Sequence, residues 1–175
     1  MFEGWENFYL ITGGSAGALI GLMFVVVTLT AGRDRDEVER GKHLYTSPIV
    51  WHLAVILALS AGAMAPTMPA IAFGWLAAGL ALIGATMGVR STIGIARRPG
   101  APKSPLFDLF WYGIAPAIAY VGLGAAALTV LTGRPWANSA IGADLLALLM
   151  ISIHAEWDLV TYLAPIAKPE GGQDR

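Results

Sequence analysis

The sequence has 175 residues, of which 56% are hydrophobic and 13% charged, and its 11 basic and 12 acidic residues leave a net charge of -1. A soluble domain carries about 25% charged residues, so this chain lacks the polar surface to face water on all sides. Its balanced charge also excludes the basic surplus that nucleic-acid binding requires. Cysteine is absent, which excludes disulfides, thiolate metal sites and a cysteine nucleophile.

The stretches Ile11 to Ala31, Ile49 to Ala65, Ala70 to Val89 and Trp111 to Thr132 contain no Asp, Glu, Lys or Arg. Runs of about 18 or more such residues can cross ~30 Å of hydrocarbon. The expected fold is therefore an all-α integral membrane protein, a bundle of about five transmembrane helices. Met1 to Asn7 holds Glu3 and Glu6 and no basic residue, unlike the positive start of a secretory signal, so the first apolar segment reads as a retained helix.

Helix 1 is expected over about residues 8–31, opened by Phe2, Trp5, Phe8 and Tyr9 at headgroup level. In the hydrophilic stretch that follows, Arg33 and Glu37, Arg35 and Glu39, and Asp36 and Arg40 are paired at i, i+4, which supports a helical extension into water. Ser47 as N-cap and Pro48 as first helical residue open helix 2, about 48–65. The short turn at Ala65-Pro66-Thr67-Met68-Pro69 sends helix 3, about 69–96, back beside it. Arg97-Arg98-Pro99-Gly100 breaks that helix, and Ser104-Pro105 opens helix 4, about 105–132, with Pro116 expected to kink it. After Gly133-Arg134-Pro135-Trp136, Asn138 can cap helix 5, about 138–164, which Pro165 stops. Residues 1–166 thus read as one transmembrane domain and 167–175 as a short polar tail.

Five spans place Arg33, Arg35, Arg40, Lys42, Arg90, Arg97, Arg98, Lys103, Lys168 and Arg175 on one side and only Arg134 on the other. Basic residues accumulate on the cytoplasmic side. The expected orientation has the N-terminus outside and the C-terminus cytoplasmic, in a multi-pass protein of the cell's inner (cytoplasmic) membrane. Arg90, Arg97, Arg98 and Lys103, in a stretch without acids, are expected to meet anionic lipid at the cytoplasmic face.

Gly13, Gly17 and Gly21 recur every fourth residue in helix 1, a spacing that lets another backbone approach closely, from the same chain or from another subunit. A nucleotide-binding glycine loop needs a strand before it, and none is expected here. With Trp5-Glu6-Asn7-Phe8-Tyr9 ahead of the glycines and Gly21, Leu22, Phe24 and Val25 at their end, the first helix resembles the opening of an uncharacterised family of small bacterial polytopic membrane proteins. The resemblance spans that helix and implies a bacterial membrane protein, with no activity attached.

The ionisable residues of the apolar segments are His52, Asp144, His154, Glu156 and Asp158. His154 and Asp158, at i, i+4, can share a proton or, as a weak candidate, a metal ion, while Glu156 points nearly opposite to Asp158 at 100° per residue. His52, about one turn inside helix 2, is expected at the depth of His154, so these residues can form one polar cluster or an ordinary layer at the inner headgroups beside Trp51, Trp111, Tyr112, Trp157 and Tyr162. Asp144 lies about two turns below the outer end of helix 5, where a charge facing lipid costs several kcal/mol, and Thr12, Ser15 and Thr67 are its candidate partners. No His-Glu-x-x-His or paired-aspartate motif points to an enzyme, and no cofactor is implied. Two functional expectations follow: a homo-oligomeric channel or transporter for an ion or small solute, or a scaffold, sensor or regulatory subunit that docks on another membrane protein.

Overall fold

A computed structural model describes residues 2–30, 47–96, 107 and 109–163. The described chain is helical: α1 (Glu6–Thr30), α2 (Ser47–Met64), α3 (Ala70–Ala96), a π-helical turn (Phe110–Ile114) running directly into α4 (Ala115–Leu131), and α5 (Ala137–Leu163), with no strand among the described residues. Four of these helices are long and apolar enough to cross a membrane, and α2 is shorter. Its 18 residues make about 27 Å at 1.5 Å per residue.

α2 is central. It packs against α1, α3 and α5 and reaches α4 through a hydrogen bond between His52 and Tyr120. Surrounded in this way, it buries Ile49, Leu53, Ile56 and Leu59, which follow each other at three- and four-residue steps along one face. On α5 the buried stripe is Ile141, Leu145, Leu148, Ser152, Ala155 and Leu159, and on α1 it is Tyr9, Thr12, Gly13, Ala16 and Met23. The perimeter is apolar instead: Phe24 is 70% exposed, Leu82 69%, Val121 66% and Ile11 66%. Polar side chains sit inside, where Thr12, His52, Ser60, Ser152 and Glu156 are all buried. A protein in water arranges its side chains the other way round, whereas hydrocarbon accepts such an exterior.

The tightest helix pair is α3 with α4. At Gly84 a β-carbon would collide with the Tyr120 ring, and at Gly88 it would come within 3.1 Å of the Ala117 backbone. The two glycines are four residues apart and make a small-residue face on α3 that lets α4 close in. Gly113, in the π-helical turn, lies against Thr92 in the same way.

Pro116 explains the π-helical turn. Proline has no N–H to give the carbonyl four residues earlier, that of Tyr112. The helix widens over Phe110–Ile114, where the Ala115 N–H bonds back to the Phe110 carbonyl, and Ser91 Oγ of α3 donates to the Tyr112 carbonyl at 2.8 Å. Inside hydrocarbon no water can replace a lost backbone bond, and a local π turn with a serine donor is the usual substitute. The expected disturbance at Pro116 thus takes the form of a wider turn tied to α3. At its other end α4 stops in a Schellman motif: Gly133, at φ 64°, donates to the Val130 carbonyl and Arg134 to that of Thr129.

The end of the bundle where α1 begins is held by aromatic rings. Phe2 meets Tyr9 and Phe73 edge to face at centroid distances of 5.6 and 4.7 Å, and Trp5 and Phe8 flank Gly142 of α5. The rings expected at the headgroups thus also fasten α1 to α3 and α5.

Candidate functional site

The ionisable side chains of the bundle fall into separate environments. His52 of α2 is 6% exposed, and its Nδ1 lies 2.8 Å from the Tyr120 hydroxyl of α4. The Trp51 indole lies within reach of the same hydroxyl, although its N–H forms no bond of good geometry. Tyr120 rests on Gly84, near the midpoint of the 27-residue α3. The absence of a side chain at Gly84 is therefore what allows a tyrosine to deliver a hydroxyl to a histidine halfway along the bundle. The Tyr120 oxygen can donate to His52 or accept from it, according to which imidazole nitrogen carries the proton.

His154 and Asp158 share a different surrounding, on the face of α5 that meets the start of α4. Asp158 Oδ2 accepts a hydrogen bond from the Tyr112 hydroxyl at 2.7 Å. His154 Nε2 lies 3.5 Å from the same oxygen without hydrogen-bond geometry. The imidazole is stacked on Trp111 at a centroid distance of 4.1 Å and edged by Phe107 at 5.8 Å. Trp111 and Tyr112, expected as parts of an aromatic belt, thus hold this pair. No three metal-ligating side chains converge among the described residues.

Glu156 turns away from both groups, as its angular position on the helix dictates. It is 6% exposed, and its Oε1 is buried without a hydrogen-bond partner. It borders a narrow niche between α1 and α5 whose other walls are Leu22, Met23, Val26, Leu159 and Val160. Asp144 is half-buried, with its carboxylate laid over Gly122 of α4. Its candidate partner Thr12 is engaged elsewhere, with Ser60 Oγ of α2 at 3.1 Å.

The structure thus sets His52 with Tyr120, His154 with Asp158 and Tyr112, Glu156 against α1, and Asp144 against α4. The i, i+4 spacing pairs His154 with Asp158 and turns Glu156 nearly opposite to Asp158, but the sequence also offered these three with His52 as one polar cluster, and the structure sets them in separate surroundings. Tyr120 and Gly84 were overlooked, and only Gly84 carried a signal: Gly84 and Gly88 have the same four-residue spacing as the glycines of α1, on a helix long enough to cross a membrane.

Of the α1 glycines, Gly13 meets Ser60 of α2, where a β-carbon would lie 2.9 Å from the serine β-carbon. Gly17 and Gly21 are exposed, with nothing within 4 Å of a β-carbon. Gly14, also open, joins them on a face that no other described part of the chain covers. Of the basic residues, Arg90 is exposed on α3 and Arg134 lies in the turn at the opposite end of the bundle. Arg97, Arg98 and Lys103 lie outside the described residues, as do the charged stretch after α1 and the C-terminal tail.

A recess of about 320 Å³ lies at the α4–α5 turn, lined by Ala70, Val130, Arg134 and Asn138 among others. Comparison with models of known protein families, with curated proteins and with solved structures finds no match to this chain. The functional reading therefore rests on the geometry of these groups.

Proposed function

We propose that the chain crosses the cytoplasmic membrane five times, N-terminus outside, and serves there as a small homo-oligomeric channel or transporter for an ion or small solute, with the proton as the favoured ion. One observation carries this reading: His52 is buried halfway along an apolar bundle and tied to the Tyr120 hydroxyl. Ionisable side chains are expensive inside a membrane and mark ion and proton pathways there. A proton needs no bore, because it passes between hydrogen-bonded groups, and a packed interior suits it better than a hydrated ion. A larger solute would have to pass between subunits, which is where the homo-oligomer enters. The shorter α2 can count as a fifth span because it lies among the other four helices and need not meet lipid at either end. Arg90, Arg97, Arg98 and Lys103 would then lie at the anionic cytoplasmic leaflet.

The test is proton flux into liposomes that hold the purified protein and a trapped pH dye, driven by an imposed potential. The parent should acidify the lumen faster than protein-free liposomes, and His52→Asn, which keeps a polar atom near the position of Nδ1 but cannot relay a proton through a ring, should lower that rate at least tenfold. A parent no faster than empty liposomes would overturn the proton reading.

A second reading, a scaffold, sensor or regulatory subunit, is favoured by the outward face of Gly14, Gly17 and Gly21, which leaves α1 open to a neighbouring helix. It predicts a copurifying membrane protein that Gly17→Leu releases.

A further inference from the structure

We propose that Glu156 is a proton-binding site, reached from the lipid through the niche between α1 and α5. The carboxyl group is enclosed and Oε1 meets no donor. Every other wall of the niche is an apolar side chain, Leu22, Met23 and Val26 from α1 and Leu159 and Val160 from α5. The titratable groups nearest in sequence, His154 and Asp158, are on the same helix and engaged with Trp111 and Tyr112 of the α4 side. His52 of α2 is directed to Tyr120. No described residue of α1 that borders the niche is titratable.

Among the described residues an ionised carboxylate here meets no counter-charge, and its Oε1 no hydrogen-bond donor, and the cost of that far exceeds the cost of holding a proton. The ligand is a proton and not a metal ion, because hard cations take six or more oxygen ligands and the niche offers the oxygens of one side chain. A volume of about 10 Å³ is room for about one water, so a proton can be handed over without admitting a hydrated ion. Leu22 is 52% exposed and Val160 37%, so the walls of the niche also form part of the bundle's outer surface, which would face lipid.

The site deepens the proton reading above but relies on it only for placing the bundle in a bilayer, since a carboxyl can hold a proton whether or not the protein moves one. Dicyclohexylcarbodiimide, a lipid-soluble reagent, separates the two. It takes up the proton of a neutral carboxyl group while the carboxylate oxygen adds to its central carbon, and rearrangement leaves a stable N-acylurea. Applied to the full chain in liposomes, it should add one reagent mass, mapped to Glu156 by peptide mass spectrometry. The adduct should diminish as the medium is made alkaline, vanish in Glu156→Gln and persist in Asp158→Asn. No adduct at Glu156 at any pH, or an adduct that survives in Glu156→Gln, would overturn the site. Labelling without flux would leave the site standing and remove the transport reading.

Discussion

The small-residue faces of α1 and α3 have the same spacing and opposite settings. On α3, Gly84 and Gly88 are buried, and the Tyr120 ring and the Ala117 backbone occupy the space where side chains would be. On α1, Gly17 and Gly21 have the same four-residue separation but face outward, and among the described residues nothing lies near them and only Gly13 of this stripe meets another helix, at Ser60. The lesson is that small residues at helical spacing allow a close approach without saying which helix makes it. That choice depends on what the opposing helix carries. α4 brings Ala117, Tyr120 and the Pro116 turn to α3, whereas α2 meets α1 through Ser60 alone of the residues that touch these glycines.

The largest effect expected from this comparison is at Gly84. Gly84→Leu would drive a branched side chain into the Tyr120 ring, and overpacking of this kind costs about 1–3 kcal/mol, occasionally more. The variant should lose its monodisperse folded state in detergent and, with Tyr120 displaced, any activity that depends on His52. A normal elution profile and thermal midpoint for Gly84→Leu would mean that α3 and α4 do not meet there.

A smaller effect is expected at the tie between Ser91 and Tyr112. Ser91→Ala removes the donor to the Tyr112 carbonyl and should cost about 1 kcal/mol, read as a lower thermal midpoint in detergent. Pro116→Ala supplies a new backbone N–H to that carbonyl. In its background the Ser91→Ala loss should shrink, and an unchanged loss would separate Ser91 from the proline.

The smallest effect is at Gly17. Gly17→Leu should change the stability of the single chain by less than about 0.5 kcal/mol, as for an exposed position, while altering the oligomer profile or releasing a partner if α1 docks on another helix. Loss of stability in the single chain would place the α1 glycines in the same role as those of α3.

The helical class of the chain was legible from charge alone, because long stretches without Asp, Glu, Lys or Arg leave few structures other than membrane helices, and four helices long and apolar enough to cross a membrane are present. Parts of the candidate sites were legible too. The turn of an α-helix puts His154 beside Asp158 and turns Glu156 away, and this needs no knowledge of neighbouring helices. The depth of His52 was not legible. Counting from Ser47 puts it one turn from the start of α2, but α2 is the shorter, central helix, and its packing brings His52 to Tyr120, level with the middle of α3.

The sequence by itself therefore determined what each helix is: its class, its stops at residues such as Gly133, and the angular order of side chains around it. These follow from local backbone geometry and from the absence of charge. Only the tertiary structure decided which faces meet. It chose Gly84 over Gly17 as the contact, gave Tyr112 to Asp158 and Tyr120 to His52, and left Glu156 Oε1 without a hydrogen-bond partner among the described residues. The physical reason is that helices in hydrocarbon gain little from burying one apolar face in preference to another, so shape and a few hydrogen bonds select the pairing, and both depend on two helices at once.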